Sequence, residues 1–293
     1  MFRKYILNVL FFIITVILVT NLPKLFFTES GIGFQVTIYL KSCVDTIKQF
    51  SSLNEIVLFT QTMRFGPLTE VVANSFRYSI TLIIIALLII IVLTSIFTII
   101  YVTSSVKVKR VISRIINIFK SIPDLLLIAS LQIFSIFVYQ KTNVLLFSIV
   151  SFGDEIPYFI PSVALSFVPT LFLLSVIITL TEEEFNKQYV EVVRAKGFSN
   201  NYIFQKHIIR NLLPSLSGYI KNFYALVISN LFIVELFFGI KGLMSLLKMN
   251  FNMPIVYLIV FLIISIPYVI ISIILKIQSN YRFKKFEVGT YEK

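Results

Sequence analysis

Histidine and cysteine occur once each in these 293 residues, tryptophan not at all, and charged side chains make up only 14%. The lone Cys43 excludes an intrachain disulfide framework and any thiolate metal cluster within the chain. The lone His207 excludes a metal site built from several histidines and leaves a Ser-His-Asp triad a single candidate base. The text holds no Gly-x-x-x-x-Gly-Lys-Ser/Thr, no His-Glu-x-x-His and no Gly-x-Ser-x-Gly. ATP hydrolysis by a P-loop, zinc proteolysis and elbow-type hydrolysis therefore lack their residues. The expectation is a non-enzyme with no catalytic residue, no metal site and no cofactor. The shortage of charge is as telling. Soluble domains carry about 25% charged residues, whereas 57% of this chain is hydrophobic and the bilayer is the natural solvent for it. Without tryptophan, tyrosine must serve in any aromatic belt.

The apolar text falls into six candidate spans, at about 5–22, 78–102, 118–139, 160–180, 216–238 and 255–276. The second carries no charge. The first follows Arg3-Lys4 but is longer than a signal-peptide core and ends without a small-x-small cleavage site, so a retained helix is expected. The net charge of +12 is distributed unevenly: with the N-terminus inside, the inner segments hold 18 of the 26 Lys and Arg. That bias predicts a multi-pass membrane protein with both termini cytoplasmic, and favours topology over nucleic-acid binding as the meaning of the charge. The expected organisation is a first transmembrane helix (1–22), an extracytoplasmic segment (23–77), a core of five helices (78–276) and a cytoplasmic tail (277–293). Helical spacing is visible near Val36–Phe50 in the external segment.

Polar residues inside the apolar runs are few. Asp124, after Ser121-Ile122-Pro123, fits a helix start. Glu235 is expected near the outer end of the fifth helix, where it sits partly hydrated and braces the following turn or contacts cargo. Gln132, Asn222 and Asn230 mark the third and fifth helices as pore-lining, with the second and sixth toward lipid. Pro169 and Pro267 are candidate kinks.

The inner loop 181–215 has its own grammar. Thr181 with Glu182, Glu183 and Glu184 fits a helix N-terminus. Residues 184–196 continue as helix, Gly197 breaks it, Ser199 or Asn200 caps a second helix over about 201–213, and Pro214 ends the loop. Tyr189, Val192, Val193 and Phe198 offer apolar tips framed by Glu191, Arg194 and Lys196. Such a helix suits either a groove on a soluble partner or the lipid headgroup layer.

Glu191-Val192-Val193, then Arg194-Ala195-Lys196, then Gly197 resembles the cytoplasmic Glu-Ala-Ala-x-x-x-Gly signature of ABC-importer permeases. VRAKG followed by His207, Arg210-Asn211 and Leu213-Pro214 is similar to the oligopeptide/dipeptide/nickel branch, as is VELFFGIKGL over Val234–Leu243. The resemblance covers about 71–276. Two departures stand out: Val192 and Val193 replace the two Ala, and the Pro before Gly242 is missing. The resemblance implies an all-α polytopic type I permease fold of six helices, with Tyr189–Phe198 as the coupling helix against two ATP-binding subunits. It also implies a second homologous permease subunit completing the pore, an extracytoplasmic substrate-binding protein, and a structural or gate-side role for Glu235, Gly239 and Gly242. The cargo would be a peptide, nickel or a metal chelate. A gradient-driven secondary transporter or channel is the alternative, but it would need intramembrane relays beyond Asp124 and Glu235. A membrane-embedded enzyme and a membrane scaffold are weaker rivals.

Overall fold

The computed structural model describes residues 2–28, 31–59, 65–142 and 158–291. Parts of the expected external segment (29–30 and 60–64) and of the tail (292–293) lie outside the described residues. In chain order the helices are α1 (Phe2–Asn21), α2 (Pro23–Phe26), α3 (Val36–Ser51), α4 (Leu68–Thr103), α5 (Val106–Lys120), α6 (Asp124–Thr142), α7 (Phe159–Phe185), α8 (Gln188–Ala195), α9 (Asn200–Ile203), α10 (Ile209–Leu216), α11 (Ile220–Phe237), α12 (Leu243–Met249) and α13 (Pro254–Tyr291). Two small antiparallel hairpins, Phe27–Thr28 with Gly31–Ile32 and Val57–Phe59 with Phe65–Pro67, flank α3. The protein is all-α and polytopic.

Five helical stretches among the described residues are long and apolar enough to cross a membrane: Leu68–Thr103, Asp124–Thr142, Phe159–Phe185, Asn200–Phe237 and Pro254–Lys276. The sixth expected span, the first in the chain, is helical over the 20 residues Phe2–Asn21, and within it the apolar stretch among the described residues is Leu10–Asn21. The boundaries also move. α4 begins ahead of 78, because Leu68–Arg77 holds no Gly or Pro to stop it, and α13 runs past 276 to Tyr291. The third span begins at Asp124, not 118. Pro123 has no N–H to continue α5, and its carbonyl instead accepts from Leu126 and Leu127 at 2.9 and 3.2 Å to open α6.

The chain divides into two units. The first joins Met1–Ser79 to Lys241–Pro267. Its α1 and α3 are held by a buried polar clasp. The fully buried Asn21 donates to Ile17 O at 2.8 Å and to Thr46 Oγ1 at 3.2 Å, and Ser42 Oγ donates to Asn21 Oδ1. An amide in an apolar setting that meets its partners in this way fixes one register between two helices. Also in this unit is α12, which the sequence offered only as loop text. Its Leu243 N–H donates to Ser79 Oγ at 2.8 Å, Tyr257 OH donates to Leu247 O at 3.1 Å, and residues 243–247 are buried.

The second unit comprises Ile80–Ile240 and Tyr268–Lys293. Its axis is α7, half of whose most apolar window is buried, against 11% for α6. The buried face of α7 is built from Ser162, Ala164, Ser166, Pro169 and Thr170, small side chains that let α11 approach closely. Pro169 withholds one backbone N–H, while Thr170 Oγ1 donates to Ser166 O at 2.7 Å just beside it. Polar Gln132, on the sparsely covered α6, donates to Phe237 O at 2.7 Å and so satisfies the last turn of α11.

Candidate functional site

The loop between α7 and α11 differs from its sequence grammar at both ends. Thr181–Glu184 is not a helix start but the last turn of α7, which runs through Phe185. Thr181 and Glu184 are buried there, so packing outweighs the preference of carboxylates for an N-terminus. The break comes at Asn186-Lys187, whose N–H groups fold back onto Glu182 O and Glu184 O at 3.2 Å each. Pro214 does not end the loop either. It lies inside α10, and a short 3-10 turn over Ser217–Tyr219 carries the helix on into α11. A π-turn, Phe204–Ile208, joins α9 to α10 and contains His207, whose ring lies 6.2 Å from that of Tyr202.

Between these ends the reading from sequence holds. α8 stops at Ala195, and Gly197 takes φ +84°, a conformation open to glycine and strained by on the order of 1–3 kcal/mol for most other residues. Its N–H donates to Arg194 O at 2.9 Å, closing the turn. Ser199 then caps α9, its Oγ accepting from Tyr202 N at 3.4 Å.

What makes this loop stiff is underneath it. Val190 is fully buried in a cluster with Val102, Ile203, Phe204, Ile208 and Leu212, and Tyr189 and Val193 pack against that cluster. Each fully buried Val, Leu or Ile there is worth about 1.5–3 kcal/mol. Beside the cluster, Glu184 Oε2 accepts from Tyr189 OH at 2.7 Å and from Asn211 Nδ2 at 3.4 Å, while Oε1 pairs with Lys187. One carboxylate therefore ties α7, α8 and α10 together. Burial, and then donation to Glu184, push the Tyr189 phenol above its ordinary 10.0, so it stays a donor at neutral pH.

The sequence-predicted surface consequently splits. Tyr189 and Val193 face inward, whereas Glu191, Val192, Arg194, Ala195, Lys196, Gly197 and Phe198 are exposed. Val192 is 58% and Phe198 43% exposed. Phe198 stacks on Tyr202 with centroids 4.5 Å apart and planes at 14°. The protruding tip is thus a rigid pair of apolar side chains within a rim of mixed charge. Arg194 also borders a cleft of about 320 Å³ together with Tyr101, Lys109, Glu182 and Asn200.

Glu235 is fully buried, at 1% exposure, which corrects the expectation of a partly hydrated residue. Its backbone carbonyl accepts from Ile240 N at 3.0 Å across a turn in which Gly239 takes φ 62°. Gly242, in the other unit, is extended and precedes α12 as its N-cap. Sequence reasoning missed Glu184 and Asn211 as organising groups. Asn211 stood in the Arg-Asn motif, but only the fold supplies its partner.

The geometry is that of a polytopic α-helical membrane protein with a braced helical loop between two spans. Residues 101–281 match the family described as the inner membrane component of binding-protein-dependent transport systems. The chain belongs to this family, that of ABC-importer permeases. It is 29% identical over 108 residues to the dipeptide transport system permease protein DppB of Lactococcus lactis subsp. cremoris (strain MG1363), a stretch covering 37% of this chain and 36% of that relative.

Proposed function

We propose that this chain is the pore-forming subunit of an ATP-driven importer of peptides or of nickel or another metal chelate, with peptides favoured by its similarity to a dipeptide permease. The observation that carries the reading is the α8 tip. Val192 and Phe198 stand outward between Glu191, Arg194 and Lys196, on a base stiffened by Val190 and by the Glu184, Tyr189 and Asn211 hydrogen bonds. A tip meant to transmit force must seat in a partner and must not bend at its root. Two ATP-binding subunits would grip two such tips, one from this chain and one from a second homologous permease. Their closure on ATP would draw the tips together and shift the spans between inward-open and outward-open states. A substrate-binding protein would deliver cargo on the opposite side. The cation bias supports a cytoplasmic loop and cytoplasmic termini in a bacterial cell.

The test is the complex purified in mild detergent and reconstituted into proteoliposomes with labelled peptides. ATP-dependent uptake with co-eluting ATPase subunits is expected. Uptake that ignores ATP and collapses with a proton uncoupler would overturn the reading in favour of a gradient-driven transporter.

A further inference from the structure

α5 (Val106–Lys120) is an amphipathic helix whose two faces are both only partly used by the fold. Between the spans α4 and α6 it has Ile112 and Ile116 packed on Tyr101, Leu174 and Ile178. Next to that face runs a second apolar stripe, Val108, Val111, Ile115 and Ile118, each between 43% and 56% exposed. Lys107, Arg110 and Arg114 border that stripe, and Lys109 and Lys120 lie on the far side of the helix. Lys109 lies over the rings of Tyr101 and Phe185, with Nζ 5.3 and 5.8 Å from their centroids, and Lys120 donates to Ser175 Oγ at 2.8 Å. Among the described residues no carboxylate pairs with Arg110 or Arg114. These two line a cavity of about 750 Å³ with Lys109, Ser113, Asn117 and Glu182. Three cations thus face one carboxylate, and that carboxylate already accepts from Tyr101 OH.

We propose that this cavity binds the headgroup of an anionic phospholipid, with the acyl chains lying along the Val108–Ile118 stripe. The charge calls for an anion, and Arg110 and Arg114 present the forked donors suited to a phosphate oxygen pair. The stripe decides the source. A soluble phosphate would satisfy the cations and leave four large apolar side chains in water, whereas a lipid satisfies both at once. The position agrees, because α5 joins two spans through short links, Ser104-Ser105 and Ser121–Pro123, and so lies where they leave the hydrocarbon.

The experiment uses the full chain in bilayer discs of equal phosphatidylglycerol and phosphatidylcholine, extracted mildly, with retained lipids counted by mass spectrometry. Phosphatidylglycerol is expected to be enriched. An Arg110→Gln/Arg114→Gln variant is expected to lose that enrichment by on the order of 25-fold, at about 5-fold for each cation near a lipid surface. An Arg110→Lys/Arg114→Lys variant, which keeps the charge and guards against misfolding, is expected to retain most of it. Equal retention of the two lipids by the unaltered chain would overturn the proposal, as would enrichment that survives both Gln substitutions. Displacement of the lipid by inorganic phosphate at constant ionic strength would assign a soluble anion instead and overturn it equally.

Discussion

Two short helices interrupt the membrane text of this chain, and they use their side chains in opposite ways. In α8 only Val190 is buried, and Val192 within it and Phe198 just beyond its end stay in the open. In α12 five consecutive residues, Leu243 to Leu247, are buried. α8 precedes Gly197, which turns the chain at φ +84°, whereas α12 follows Gly242, which is extended. The difference lies in what each leaves outside: α8 keeps apolar surface for something else to cover, while α12 has spent its own on its own unit. An apolar residue retained at the surface on a rigid base is what a docking element needs. The same residue type sunk into the fold is what a structural wedge needs.

The largest effect that would break this contrast is at the α8 tip. Gly197→Trp places a bulky side chain at a positive φ with no heavy atom within 4 Å of the new Cβ. The fold has room for it and the strain at this φ, on the order of 1–3 kcal/mol, falls on an exposed turn, so insertion and expression should persist while ATP-driven uptake is lost. Uptake by the variant at the unaltered rate would remove α8 from the coupling role. Next comes the mirror experiment. Leu246→Ala in α12 should lower the stability of the purified protein by about 2–5 kcal/mol, measured as the loss of folded protein on heating in detergent. Val192→Ala should leave stability within about 0.5 kcal/mol and reduce uptake instead. If the two exchanged signatures, the contrast between docking element and wedge would be wrong.

The same contrast explains what was legible beforehand. Long uncharged runs announced α4, α7 and α13, because no soluble packing could hide them. Gly197 announced its turn through the backbone freedom that glycine alone supplies. α12 stayed hidden because seven residues are too few to show a helical period, and its burial comes from contacts with sequence-distant groups such as Ser79. Glu184 was misread for a related reason. Three adjacent carboxylates after Thr181 look like a helix start, but Asn211, 27 residues away, and Tyr189 make the third of them the end of one helix and the anchor of the next. The resemblance in sequence pointed to Tyr189–Phe198 as one surface; only the fold shows that Tyr189 and Val193 point down from it.

Tyr189 therefore separates rigidity from docking. Tyr189→Phe removes the donor to Glu184 but keeps the ring against the Val190 cluster, and Lys187 and Asn211 still serve the carboxylate. The expected cost is about 1 kcal/mol, read as faster amide exchange over 188–212, with a smaller fall in uptake than at Gly197. The pH dependence has a definite sign. The phenol's pKa is raised in the folded chain, so its contribution is complete below the unfolded value of 10.0 and is lost as pH rises through the higher folded value. Amide exchange over the loop should then be insensitive to this group between about pH 7 and 9, and the alkaline loss should vanish in Tyr189→Phe.

The smallest effect belongs to Ser199, which sits between the exposed tip and α9, whose Ile203 reaches the buried cluster. Its Oγ accepts a single, long bond from Tyr202 N at 3.4 Å, in an exposed position, so Ser199→Ala should cost about 0.5 kcal/mol, the low end for an N-cap. Tyr202 also supports Phe198 by stacking, so loosening the cap should be felt at the tip before it is felt in the cluster. Faster exchange confined to residues 200–203, with unchanged exchange at Val190 and Ile208, would confirm that tip and base are separately held. Equal acceleration at both would mean that the loop moves as one body and that the base lends the tip no independent stiffness.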